Sequence, residues 1–160
     1  MQIKIFATGG TIDKVYFDKN SDFEVGEPQA AVILGASNVD IDYSVESILK
    51  KDSIDFTEDD RKMIRHTVEA DVDSRIIITH GTDTMVQTAQ LLAGIADKTI
   101  VLTGAMLPAL FKDSDAVFNM GCATIAVQTL PAGVYIVING RVFDPSKTKK
   151  NLSLKRFETQ

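Results

Sequence analysis

Phe6-Ala7-Thr8-Gly9-Gly10-Thr11-Ile12 closes the first apolar run of this chain with two glycines and a threonine. The run itself, Gln2 to Thr8, is short, carries Ile3, Ile5 and Phe6, and reads as a buried strand of a mostly parallel sheet. Glycine accepts positive φ without steric cost, so a strand that stops at Gly-Gly turns sharply and lifts Thr11 out of the sheet. A second segment of the same kind lies far downstream, where Arg75 to His80 runs into Gly81-Thr82-Asp83-Thr84. Two hydroxyl residues are thereby set on two strand-exit loops.

Outward from these two segments, Lys98 to Thr103 and Gly133 to Asn139 read as further buried strands, and the alternation of Ile41, Tyr43 and Val45 makes Val39 to Leu49 another. Helical periodicity fills the intervals. Pro28 to Ala36 has proline in its first turn. Thr57 to Val68 starts with a capping-box-like Thr57 followed by three acids. Asp83 to Ala96 places Met85, Ala89, Leu92 and Ala96 on one stripe, and Ala116 to Thr129 is nearly apolar throughout, which predicts an interior helix. Strands interleaved with helices predict an α/β three-layer sandwich with a mostly parallel sheet. Ligands of such sheets sit beyond the carboxyl ends of the strands, where Thr11, Thr82 and the Thr103-Gly104-Ala105 exit would gather. Asp13 to Glu27 and Gly104 to Asp115 lack periodicity, and the first has the length of a lid.

The bulk composition narrows the class. With 160 residues, 44% hydrophobic and 24% charged, the chain fits one soluble domain, taken as residues 1–160. A net charge of −5 argues against nucleic acid as a partner, and the basic run Lys147-Thr148-Lys149-Lys150 reads as a solvated tail. Neither a signal segment nor an apolar stretch of about 20 residues is present, so no membrane is expected and the expected location is cytoplasmic. Cys122 is the sole cysteine, and His66 and His80 fall on different elements, so no metal site is expected; His80, at a strand end, reads as a structural histidine. The glycines lack the G-x-G-x-x-G spacing, no P-loop occurs, and no cofactor is expected.

For Thr11 and Thr82-Asp83 two readings stand. Threonine after Gly-Gly, and Thr or Asp at a helix start, are ordinary turn and cap residues. The same two loops converging on one sheet edge would instead bring together hydroxyls, a carboxylate and backbone donors, the parts of an acyl-transfer site in which a threonine nucleophile needs a nearby base.

Ala7-Thr8-Gly9-Gly10-Thr11-Ile12 taken with His80-Gly81-Thr82-Asp83-Thr84-Met85 resembles the two active-site signatures of bacterial-type L-asparaginases, the asparaginase/glutaminase family. Gly104-Ala105-Met106-Leu107-Pro108 and Asp115 to Asn119 are similar to two further stretches of that family. The resemblance implies an asparaginase N-terminal-type domain of Rossmann-like topology and an amidohydrolase acting on a small amino acid amide, L-asparagine. It implies Thr11 as nucleophile through an acyl-enzyme, Tyr16 as an activating lid tyrosine, and Thr82, Asp83 and Lys147 as catalytic partners. Ser53, Thr82 and Asp83 would hold the substrate, with Asp55 nearby. Lys147 is chosen because Phe143-Asp144-Pro145-Ser146-Lys147-Thr148 resembles the family segment after the last strand. Two departures stand out: Ile54 takes the place of a substrate-binding glutamine, and family members are typically about twice as long, as two domains require. The chain resembles the short-chain form, and a homodimer or homotetramer is expected. A catalytically weak amino-acid-binding or regulatory module of the same family, or an amidase domain serving a larger complex, is the alternative.

Overall fold

The computed structural model describes residues 1–17 and 22–160. Six strands form one sheet in the order β4-β1-β5-β6-β7-β8: β1 is Gln2–Gly9, β4 Asp42–Lys51, β5 Arg75–Thr79, β6 Thr99–Thr103, β7 Gly133–Ile138 and β8 Arg141–Phe143. The first five run parallel and β8 is antiparallel to β7. The expected strand at Val39 to Leu49 is displaced toward the C-terminus by two to three residues, and its last residue, Lys51, pairs with Gly9 after a bulge.

Alternation along the strands divides the core in two. Phe6, Ile76, Ile78, Ile100, Leu102 and Ile136 point to the face covered by α2 (Glu58–Ala70) and α3 (Met85–Leu92). Ile3, Ile5, Ile77, Val101 and Val137 point to the other, covered by α1 (Ala30–Ala36) and α4 (Ala116–Thr129). This is the three-layer sandwich expected of interleaved strands and helices. α2 begins on a true capping box, Thr57 Oγ1 accepting from Asp60 N while Asp60 Oδ2 accepts from Thr57 N. α3 is shorter than its apolar stripe suggests. It ends at Leu92 because Ala93 turns extended and Gly94 takes φ +84°, which leaves Ala96 exposed.

α4 corrects a second expectation. It does not lie in the interior: Met120, Ala123 and Val127 pack on the sheet, while Val117, Phe118 and Ile125 face outward. An all-round apolar sequence cannot reveal that only one side of the helix has a neighbour.

Between β1 and α1 the expected lid is partly regular. β2 (Lys14–Phe17) and β3 (Asp22–Val25) pair antiparallel, Tyr16 opposite Phe23. Residues 18–21 of that segment lie outside the described residues. At the other end, β9 (Thr148–Asn151) and β10 (Arg156–Thr159) form a hairpin that delivers Phe157 to the core beside Phe143. Thr148 to Lys150 of the basic run are therefore strand, not tail, and Lys147 precedes them in a 3-10 turn.

Candidate active site

The carboxyl end of β1 meets that of β5 through glycine. Gly9 and Gly10 have φ of +96° and +84°, a region that side chains with a Cβ rarely adopt. Gly10 also lies against the second loop so closely that a Cβ there would stand 2.4 Å from Gly81 Cα. Thr11 and Thr82, the next residue of each loop, thus depart from one point of contact. Thr11 is half-buried and opens a short 3-10 turn, Thr11–Asp13. Its hydroxyl and N–H, like the N–H of Thr82, have no hydrogen-bond partner among the described residues.

His80 fixes the second loop from below. It is fully buried, with its ring edge against Phe56, the centroids 4.9 Å apart. Nδ1 lies 2.7 Å from the Gly81 carbonyl and Nε2 2.8 Å from Thr88 Oγ1, so the neutral ring donates to the first and accepts from the second. Burial pushes its pKa down to about 4 and keeps it neutral. Its backbone N–H donates to Thr103 O at 2.9 Å, tying the β5 exit to that of β6. His80 is the satisfied structural histidine that its strand-end position suggests.

A charged relay crosses the loop. Lys150 Nζ donates to Thr82 Oγ1 at 2.7 Å and to Asp83 Oδ1 at 2.6 Å. Thr82 is buried, Asp83 exposed, and the Lys150 side chain is 14% exposed. Lys147 does not take this place. It is exposed in the 3-10 turn Pro145–Lys147, where its N–H donates to Asp144 O and its carbonyl accepts from Gln160 N. Strand period explains the exchange: in β9 Thr148 and Lys150 share one face, with Thr148 buried, while Lys149 points away to Glu158. The signal for Lys150 lies in the alternation of Thr148-Lys149-Lys150, which becomes legible once the run is known to be a strand.

Ser53 sits beneath the loop, fully buried. Its Oγ accepts from Thr84 N at 3.3 Å, its carbonyl accepts from Thr84 Oγ1 at 2.8 Å, and a Cβ on Gly81 would come within 2.5 Å of the Oγ. Its hydroxyl buttresses the Gly81 turn. Ile54 and Asp55 beside it are exposed. Tyr16 is 52% exposed on the β2–β3 hairpin, its ring edge-on to Phe23 at 5.7 Å, and Phe23 in turn contacts Phe111. Among the described residues the Tyr16 hydroxyl makes no hydrogen bond to Thr11.

The Gly104–Asp115 segment is held by its own acid. Asp115 accepts from the N–H of Met106 and Leu107 and from Asn119 Nδ2, and Asn119 also donates to Gly104 O and accepts from Asn139 N. One further residue is not singled out by the sequence pattern. Asp13, two positions beyond Thr11, is buried, accepts from Gln29 N at 2.8 Å through Oδ1, and receives Gly26 N on its carbonyl. Burial outweighs the Gln29 bond and pushes its pKa up to about 7. Its backbone carbonyl closes the base of the hairpin that carries Tyr16, and its carboxyl holds the start of α1.

Glycine turns after two parallel strands thus present Thr11, Thr82 and Asp83, and β9 brings Lys150 to the second of them. Residues 2–159 match the family model described as Asparaginase, N-terminal, and the chain belongs to the asparaginase family. It is 31% identical over 160 residues to L-asparaginase 2 of Escherichia coli strain K12, covering 89% of this chain and 44% of that protein. The structure of the thermostable L-asparaginase from Thermococcus kodakarensis superposes with a TM-score of 0.85 at 26% identity, over 99% of this chain and 51% of that one. L-asparaginase I from Vibrio cholerae, at 24% identity and a TM-score of 0.83 over 99% of this chain and 51% of that one, shares the fold. The chain spans about half the length of these proteins.

Proposed function

We propose that the chain hydrolyses the side-chain amide of L-asparagine to L-aspartate and ammonia, with Thr11 as nucleophile. The observation that carries the reading is the Lys150–Thr82–Asp83 relay, set against the loop that presents Thr11. Thr11 Oγ attacks the amide carbonyl carbon, the tetrahedral oxyanion is met by free loop N–H groups, and the proton that the Thr11 hydroxyl gives up goes to the amide nitrogen, which leaves as ammonia when the C–N bond breaks. The resulting ester is opened by a water that Thr82 orients, Lys150 taking and returning the proton through the Thr82 hydroxyl. Asp83, exposed at the mouth, binds the substrate ammonium group. Ser53 supports the floor on which the substrate carboxylate rests. Tyr16, on the β2–β3 hairpin, is the group that would activate the Thr11 hydroxyl. The reading requires no metal or cofactor.

An ammonia-release assay with asparagine and glutamine tests this. Lys150→Met should lower the rate ~10²- to 10⁴-fold, as loss of a general acid–base group does, whereas Lys147→Met should leave it nearly unchanged. Equal rates for the wild type and Thr11→Ala would refute the hydrolase.

One observation favours a second reading, an asparaginase-like module that binds an amino acid with little turnover. Lys150 bonds to Thr82 and Asp83, and neither it nor Tyr16 bonds to the Thr11 hydroxyl. Aspartate binding by calorimetry, with ammonia release no greater than that of Thr11→Ala, is the result this reading expects.

A further inference from the structure

The β2–β3 hairpin is held at its base and, farther out, by a different part of the chain. At the base, Gly26 N donates to Asp13 O at 2.8 Å, and Lys14 Nζ pairs with Asp52 Oδ2 at 2.7 Å. Tyr16 stands two residues beyond Lys14, roughly 7 Å along the strand, so a tilt of about 8° about the base carries it about 1 Å. The base alone leaves the Tyr16 ring loosely placed.

Farther out, three rings meet in a row. Tyr16 and Phe23 are opposite each other across the hairpin, edge-on with centroids 5.7 Å apart and planes at 67°. Phe23 in turn meets Phe111 edge-on, at 5.5 Å and 78°. Ring quadrupoles favour this arrangement, which fixes the direction of a ring as well as its separation. An exposed apolar side chain such as Phe111 is ordinary by itself. What sets this one apart is its place at the end of the row.

Phe111 belongs to the Gly104–Asp115 segment, and its backbone is braced on both sides. Phe111 N donates to Pro108 O at 3.0 Å, and Ser114 N donates to Phe111 O at 3.0 Å. The Ser114 hydroxyl donates to Leu107 O at 2.9 Å, and Asp115 accepts from Met106 N at 2.9 Å, so the segment holds its own shape. The same segment also grips the nucleophile loop, for Ala109 N donates to Ile12 O at 3.2 Å, one residue past Thr11. Two positions of one braced segment thus touch the chain neighbour of Thr11 and the cross-strand partner of Tyr16.

We propose that Phe111 is a positioning residue: it holds Phe23, and through Phe23 the Tyr16 ring, at a set distance from Thr11. The kinetic consequence rests on Thr11 and Tyr16 acting as proposed above; the ring contact and its effect on the hairpin do not.

Ammonia release from asparagine and amide exchange followed by mass spectrometry test this together. Phe111→Ala should lower kcat by up to ~10²-fold, the cost of about 1 Å of misplacement, with KM little changed, the pattern of an interaction realised in the transition state. Phe111→Leu, which keeps the apolar bulk and with it the fold, should show the same loss, and Phe111→Tyr, which keeps the ring, should restore the rate. In a Tyr16→Phe background, which lacks the hydroxyl to be placed, Phe111→Ala should lower kcat by no more than about twofold. Losses that multiply in the double variant overturn the proposal, and so does wild-type kcat in Phe111→Ala. Exchange reads the contact without turnover: in Phe111→Ala the amides of β2 and β3 should exchange faster, while those of β9 stay as in the wild type. Unchanged exchange in the hairpin overturns the proposal whether or not ammonia is released. A wild type that releases no more ammonia than Thr11→Ala refutes the hydrolase, and the exchange result then decides the role of Phe111 by itself.

Discussion

The substitution Asp13→Asn is expected to turn a stability that is nearly flat between about pH 4 and 6.5 into one that climbs with pH. Two buried groups set this behaviour with opposite signs. Burial pushes His80 from 6.5 down to about 4, so in that window the unfolded chain binds a proton that the folded chain refuses, and stability rises with pH. Burial pushes Asp13 from 3.8 up to about 7, so the folded chain holds a proton that the unfolded chain has lost, and stability falls as pH rises. Each slope is about 1.4 kcal/mol per pH unit, and the two cancel. Among the described residues three carboxylates are shifted below 3.8 and titrate outside the window: Asp60 through the Thr57 N–H, Asp144 through the Ser146 hydroxyl, and Asp52, against its burial, through Lys14. The introduced amide would keep an acceptor for Gln29 N and lose only the titration. The variant should gain about 3 kcal/mol between the bottom and top of the window. At neutral pH it should exceed the wild type by up to about 4 kcal/mol, the upper bound for moving a carboxyl pKa from 3.8 to about 7. The chain has no tryptophan, so urea unfolding followed by far-UV circular dichroism is the suitable assay. Parallel stability-against-pH curves for the two proteins would refute the reasoning.

Two other substitutions probe the floor of the site. Gly10→Ala combines a φ of +84° with a Cβ 2.4 Å from Gly81 Cα; the backbone strain alone costs about 1–3 kcal/mol, and ammonia release should fall as the two loops are forced apart. A variant with wild-type melting and wild-type activity would show that the loops need no such contact. Thr103→Val addresses a buried hydroxyl on β6 that has no partner among the described residues, as does Thr79, its register neighbour on β5. Removing an unsatisfied hydroxyl at nearly constant volume should be neutral or stabilising by about 1 kcal/mol, and a lowered melting temperature would count against it.

What the sequence discloses, and what it hides, follows from the range over which each interaction acts. The Ile-rich strands, the Thr57 cap and the Gly9-Gly10 turn are decided by residues a few positions apart, and each is where the pattern places it. The relay lysine depends on a local alternation that a basic run disguises and on something distant that no pattern shows. Phe143 and Pro145 are buried, and Asp144 caps the turn after them, so the chain enters β9 with Thr148 facing inward. That inward residue fixes the parity of the whole strand, and it is parity that puts Lys150 on Thr82 and leaves Lys147 and Lys149 outside. Asp13 shows the same division. Its place beside Thr11 is written in the sequence, but its proton is held by burial, against the pull of the Gln29 N–H, which favours the ionised form. The distant partners decide what the residue does: the Asp13 carbonyl receives Gly26 N and closes the base of the hairpin, while its carboxyl receives Gln29 N at the start of α1.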